Sequence, residues 1–146
     1  YDLGDDFSRH FFSVEIIKID PTSDLALLKI INPPKNLNTL GISKVVPSIG
    51  SAVHAIGHPN TEFWSFTSGY ISQTRGNYDW QYDDEGPQHS ANVYLTQTPI
   101  DEGNSGGPLL NDYGNLIGVN TFKSKESSFQ SYSVAASEII RFLGSD

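Results

Sequence analysis

A succession of short β-rich runs, each closed by Gly, Pro, Asn or Asp, leaves this chain little choice but an all-β fold. FFSVEIIKI (11–19) and LALLKI (25–30) are joined by DPTS, whose proline and small polar residues signal a tight turn, so the pair predicts a hairpin. After INPPKNLNT come SAVHAIG (51–57), EFWSFTSGYIS (62–72), NVYLTQT (92–98), PLLN, LIGVNT and SFQSYSV (128–134). Strands of this length and spacing predict a barrel or sandwich. Only ASEIIRFLG (136–144) has helical periodicity, with Ser137 as its cap, Ile139, Ile140, Phe142 and Leu143 on its apolar side, and Gly144 as its stop. QTRGNYDWQYDDEGPQHSA (73–91) reads as a long irregular loop, too polar and acidic for a core strand. Its tyrosines and tryptophan fit either the lining of a substrate cleft or a solvated surface with a few packed rings.

The chemistry centres on GNSGG (103–107), where Ser105 sits between glycine-rich shoulders. A serine hydroxyl is a weak nucleophile near neutral pH, so it needs a general base within hydrogen-bond reach and a third group that orients that base. The same five residues fit the G-x-S-x-G elbow of esterases, in which serine stands on a strand-to-helix turn and the histidine follows it. Two features exclude that arrangement. Ser105 is followed by GGPLLN, which leads into a strand pattern, and all four histidines (His10, His54, His58 and His89) precede it. The alternative chain order is His, Asp, Ser, in which the glycines let the loop turn tightly and aim backbone N–H groups at one point.

Three segments, DPTSDLALLKI (20–30), AVHAIGHPNTEFWSFTSGYISQTRG (52–76) and LTQTPIDEGNSGGPLLNDYGNLIGVNT (95–121), resemble in order and spacing the HtrA/Deg branch of trypsin-like serine proteases. The resemblance implies a chymotrypsin-like fold of two β-barrels, with the histidine and aspartate on the first, the serine on the second, and the triad in the cleft between them. It implies Ser105 as nucleophile, Asp24 as the carboxylate that orients the imidazole, and the amides of Gly103 and Ser105 as the oxyanion hole. Taken alone, Asp24 reads better as a turn carboxylate capping a hairpin, and the competing reading of Ser105 is a glycine-rich hairpin loop; the motif context favours the catalytic roles. The resemblance also implies a specificity pocket lined by Thr98, Pro99 and Ile100 and by Thr121, Phe122 and Lys123. With Pro99 at its base and no acidic residue there, small or medium apolar side chains are expected to be preferred over Arg or Lys, whose buried charge would have no partner. Asn104 cannot form the ion pair with a new N-terminal ammonium that an aspartate forms there in cleavage-activated relatives. Ordering of the loops 73–91 and 122–130 is the expected route to activation instead.

In this reading residues 1–45 are the last strands of the N-terminal barrel plus the linker, and 46–146 are the C-terminal barrel with its terminal helix. The base is the difficulty, because only His10 precedes Asp24. If DPTS closes the hairpin, Ile19 lies opposite Asp24, and His10, nine residues further back, is roughly 30 Å away along a strand. SRHFF also does not resemble the T-x-x-H segment that carries the histidine in the family. The expectation is therefore a chain with the nucleophile and the orienting acid but not the base, the later part of a protease domain; the absence of any methionine agrees, since Tyr1 is then not a translation start. A hairpin without its sheet partners leaves an exposed edge, which predicts a homo-oligomer. The alternative is a catalytically inactive pseudoprotease or β-barrel peptide-binding module.

Composition narrows the partners. Nine Lys and Arg against 17 Asp and Glu give a net charge of −8, which repels phosphate backbones and anionic lipid surfaces, so nucleic acid is not an expected partner. The absence of cysteine excludes disulfides, thiolate metal sites and a cysteine nucleophile. His54 alternates with apolar neighbours as a strand residue would, His58 adjoins Pro59 in a turn, and His89 falls in the polar loop; none is spaced with another as metal ligands are, and no metal or cofactor is expected. No apolar run is long enough to span a bilayer. Polypeptide substrates, and a periplasmic or secreted location, are what the resemblance implies.

Overall fold

The computed structural model describes residues 12–58, 65–123 and 130–144. In chain order the strands are β1 (Val14–Asp20), β2 (Leu25–Ile30), β3 (Ala52–Gly57), β4 (Ser65–Trp80), β5 (His89–Thr96), β6 (Pro108–Asn111), β7 (Leu116–Lys123) and β8 (Ser131–Ala135), followed by helix α1 (Ala136–Gly144). Strands β3 to β8 close a barrel in the order β3-β4-β5-β8-β7-β6, while β1 and β2 form a separate two-stranded sheet. His10 and the beginnings of the runs 62–72 and 128–134 lie outside the described residues.

The barrel follows from alternation. Along β3, Val53 and Ala55 are buried while His54 points outward, and they pack with Ile71, Tyr94, Ile100, Leu109, Ile117 and Ala135 as one core cluster. Strand β5 is covered on both faces. Tyr94 joins this first cluster, whereas Ala91, Val93 and Leu95 join a second with Trp80, Tyr132, Val134 and the helix residues Ile139 and Phe142. Leu25 also belongs to the second cluster, with Leu27 packed against it, so β2 is fixed to the barrel by the inward side of its own alternation.

The β1–β2 hairpin has a turn of the expected length, moved one residue along the chain from where its sequence predicts. Asp20 pairs with Leu25 and Ile19 with Ala26, so Ile19 does not lie opposite Asp24. The cause is Asp20, whose Oδ1 accepts the amides of Thr22 at 3.1 Å and Ser23 at 3.2 Å and shapes the turn before the strand resumes. Asp24 then occupies the left-handed region at φ 55°. The hairpin meets the rest of the fold through Ser90 N, which donates to Thr22 O at 2.7 Å, and Lys18 Nζ, which donates to Phe142 O at 3.0 Å. Its outer side chains are uncovered: Ile16, Ile17, Ile19 and Leu28 are each at least half exposed.

The reading of 73–91 as an irregular loop is corrected. Strand β4 runs on to Trp80, β5 begins at His89, and only 81–88 lies between them. Register shifts between Ile71 and Gln73 and again between Arg75 and Tyr78 break the two-residue period, which is why the strand is hidden in the sequence. His89 is likewise not a surface-loop residue; it is 5% exposed and stacked on Trp80. Helix α1 begins at Ala136 directly after β8, which places Ser137 inside the first turn instead of at the cap.

Candidate active site

Ser105 sits in the turn between the end of β5 and β6, beside Gly103 at φ 99°, a conformation that side chains other than hydrogen resist. The turn is laced onto β7 beyond the point where β6 pairing ends. Gly106 N donates to Asn120 O at 2.8 Å, and Asn120 N donates to Gly107 O at 2.9 Å. Asn120 is itself pinned, accepting the Ser133 hydroxyl at 2.9 Å and donating to Pro108 O at 3.3 Å. On the other flank the buried Asn104 packs against Gly57 at the end of β3, where an added Cβ would stand 1.9 Å from Asn104 Oδ1.

Within the turn the amides divide into two groups. Asn104 N donates to Asp101 O at 3.0 Å, Gly107 N to Asn104 O at 2.9 Å, and Gly106 N to β7. The amides of Gly103 and Ser105 donate to no partner among the described residues. These are the two groups that the sequence singles out for the oxyanion hole.

Thr121 brings the two distant candidates together. Its carbonyl accepts Ser105 Oγ at 2.9 Å, and its own hydroxyl donates to Asp24 Oδ2 at 2.6 Å. The same carboxylate oxygen accepts the phenol of Tyr82 at 2.6 Å. Burial, together with the acceptor and charge of Asp24, pushes the Tyr82 hydroxyl above the ordinary tyrosine range, so it remains a donor. Tyr82 was not singled out by the sequence, where the only signal is the cluster of tyrosines and tryptophan between 73 and 91.

The remaining pocket candidates are spread around this centre. Ile100 is part of the barrel core, Pro99 is exposed with its carbonyl accepting Thr67 Oγ1 at 2.9 Å, and Thr98 is buried with its carbonyl accepting Ser131 Oγ at 3.0 Å. Lys123 forms an ion pair with Asp101. Phe122 forms one wall of a cavity of about 390 Å³ that also involves Arg75, Tyr78, Trp80, Tyr82 and Tyr132. Its rings lie in sequence: Phe122 and Tyr132 centroids are 4.5 Å apart, Tyr132 and Tyr78 5.0 Å, and Phe122 and Trp80 5.1 Å.

The rings of His54 and His89 have other engagements. His54, opposite Ser68 in the β3–β4 register, lies 2.9 Å from Ser68 Oγ through Nδ1 and 2.8 Å from Asp112 Oδ1 through Nε2. His89 Nδ1 lies 2.7 Å from Pro21 O, and its Nε2 is buried without a partner. His58 donates its backbone amide to Gly103 O at 3.2 Å. Neither the His54 ring nor the His89 ring is hydrogen-bonded to Ser105 or Asp24.

A family model described as the trypsin-like peptidase domain matches residues 4–119. The chain is 37% identical over 118 residues to the serine endoprotease DegS of Escherichia coli strain K12, a match covering 80% of this chain and 31% of that protein. It is 39% identical over 120 residues to the magnetosome formation protease MamE of Paramagnetospirillum magneticum, covering 82% of this chain and 16% of that one. To the chloroplastic protease Do-like 5 of Arabidopsis thaliana it is 36% identical over 121 residues, covering 80% and 36%. The chain thus spans little more than a third of these relatives' length at most. Among solved structures, the active form of the Rv3671c protease from M. tuberculosis matches with a TM-score of 0.80 over 90% of this chain and 57% of that one. At 23% identity that likeness speaks for the fold, which is chymotrypsin-like. With the glycine-flanked Ser105 turn, the closed barrel and these matches in hand, the chain belongs to the trypsin-like peptidase domain family.

Proposed function

We propose that the protein is a serine endopeptidase in which Ser105 is the nucleophile, Asp24 orients the imidazole base, and the amides of Gly103 and Ser105 hold the oxyanion. The observation that carries this reading is Thr121, one residue whose carbonyl meets Ser105 and whose hydroxyl meets Asp24. In this reading the catalytic histidine is not carried by this chain, which is supported by the rings of His54 and His89 being bonded elsewhere. Ser105 Oγ adds to the substrate carbonyl carbon as its proton passes to the imidazole, and the new oxyanion is stabilised by the two free amides. Asp24 stabilises the imidazolium, which returns the proton to the leaving amine. Water then repeats the sequence on the acyl-enzyme and regenerates Ser105.

In the same reading residues 1–45 are the last strands of an N-terminal barrel with its linker, and 46–146 the C-terminal barrel; the separate β1–β2 sheet supports this division. The uncovered apolar side of β1 and β2 supports burial by further strands or by a second copy, hence a homo-oligomer. Substrates are polypeptides laid along Thr121 to Lys123, with small or medium apolar residues before the cleaved bond near Pro99 and Ile100. The aromatic cavity behind Phe122 adjoins that path. A periplasmic or secreted location accompanies the family; among the described residues no helix is long and apolar enough to cross a membrane.

One observation favours a second reading, an inactive barrel that binds peptides: no His54 or His89 ring nitrogen reaches Ser105. A fluorophosphonate probe separates the two in the full-length protein. Labelling that disappears in Ser105→Ala, together with loss of most turnover at nearly unchanged substrate affinity, supports the peptidase. No labelling of the native protein while peptide binding persists establishes the binding module.

A further inference from the structure

Asp24 lies in a turn, in the left-handed region at φ 55°, where nothing in the β1–β2 ladder restrains its side chain. The restraint comes from the barrel. Segment 82–90 grips the turn at three points: Ser90 N donates to Thr22 O at 2.7 Å, His89 Nδ1 lies 2.7 Å from Pro21 O, and the Tyr82 phenol donates to Asp24 Oδ2 at 2.6 Å. The first two hold the main chain, and the third reaches the carboxylate itself. The Tyr82 ring is held in turn, edge-on to His89 at 5.2 Å and perpendicular to Phe122 at 6.4 Å.

We infer that Tyr82 is a positioning residue for Asp24, its phenol sharing Oδ2 with the Thr121 hydroxyl so that Oδ1 is left to accept the imidazole N–H. The inference rests on the peptidase reading of Asp24. Both donors fall on the same oxygen, each at 2.6 Å, with their own oxygens 2.8 Å apart and each hydroxyl's single proton directed at Oδ2; among the described residues none falls on the other carboxylate oxygen. Two donors from different elements, one from β7 and one from the loop after β4, fix the rotation of a carboxylate that one donor would leave free to pivot. Because the phenol's own titration is displaced upward, it keeps donating wherever an imidazole acts as base.

The test is Tyr82→Phe in the full-length protein, which keeps the ring packing and removes only the hydroxyl. We expect kcat to fall about tenfold with KM nearly unchanged, the cost of one hydrogen bond to a charged group. The acidic limb of the kcat/KM profile should move to higher pH, since a carboxylate with one donor fewer holds an imidazolium more firmly. In an Asp24→Asn background the same substitution should cost nothing further, because its path through the carboxylate is already gone. Native kcat and an unmoved limb in Tyr82→Phe, alongside a damaging Asp24→Asn, overturn the inference alone. An equal loss in both backgrounds also overturns it, by showing that Tyr82 acts through packing. A harmless Asp24→Asn overturns the role of Asp24 itself, and this inference with it.

Discussion

Replacing Gly57 by alanine should damage catalysis from the far side of the Ser105 turn. Gly57 ends β3 and is buried, and an added Cβ would lie 1.9 Å from Asn104 Oδ1, 2.8 Å from its Cγ and 2.9 Å from its Cα. The amide can rotate away, but the Cα cannot retreat without carrying Gly103 and Ser105. Ordinary carbon contacts lie at about 3.5–4.0 Å, so the turn must withdraw by roughly 0.5–1 Å. Overpacking of this kind costs about 1–3 kcal/mol, which lowers a domain's melting midpoint by several degrees. A reacting atom displaced by about 1 Å loses on the order of 100-fold in rate. We expect Gly57→Ala in the full-length protein to lower the midpoint by several degrees and kcat by about 10–100-fold, with a smaller change in KM. Gly144→Ala, whose Cβ meets nothing within 4 Å, is the control for a harmless added methyl. Calorimetry and steady-state kinetics on the two variants decide the matter. If Gly57→Ala keeps native midpoint and native kcat, Asn104 yields freely and the idea that β3 braces the nucleophile turn is wrong.

Three further outcomes follow from the same contacts. Leu109 is fully buried in the barrel cluster, so Leu109→Ala should cost about 2–5 kcal/mol in urea denaturation. Ser133→Ala strands the Oδ1 of Asn120, which is 1% exposed, and should cost about 1–3 kcal/mol by the same measurement; because Asn120 laces the Ser105 turn to β7, turnover should fall too. Burial by itself would raise the Asp20 carboxyl, but bonds from the Ser23 side chain, the amides of Ser23 and Thr22, and Arg141 hold it below the ordinary range. With a folded value under the unfolded one, its stabilisation is complete above about pH 3.9 and fades as pH falls through the folded value. Asp20→Asn should therefore lower the urea midpoint at pH 7 and lose its deficit in acid; an equal deficit at both pH values would contradict the linkage.

The tight turn around Ser105 was legible because its requirement is local: it needs residues able to take positive φ, and Gly103 at 99° and Gly106 at 81° are written beside it. The alternation of Val53, His54 and Ala55 was legible for the same reason, since a strand's two faces are set by steps of one residue. The second half of β4 was not, because bulges after Ile71 and Arg75 move side chains between faces without leaving a mark in the residue pattern. The turn at Asp24 was misjudged by one residue of register, since Asp20 still pairs with Leu25 while its carboxylate accepts the amides of Thr22 and Ser23, which puts Asp24 inside the turn. His89 reads as polar surface in sequence and is buried in fact, because Trp80 supplies a face to stack on and Pro21 a carbonyl to bond. Residue types and spacings along the chain thus settled the β-class, the barrel strands with regular alternation and the glycine-flanked turn that holds Ser105, all of which depend on neighbours a few positions apart. The meeting of Tyr82, Thr121 and Asp24 was decided only when the barrel closed, because those residues stand 39 and 97 positions apart in the chain and no local rule governs contacts at that separation.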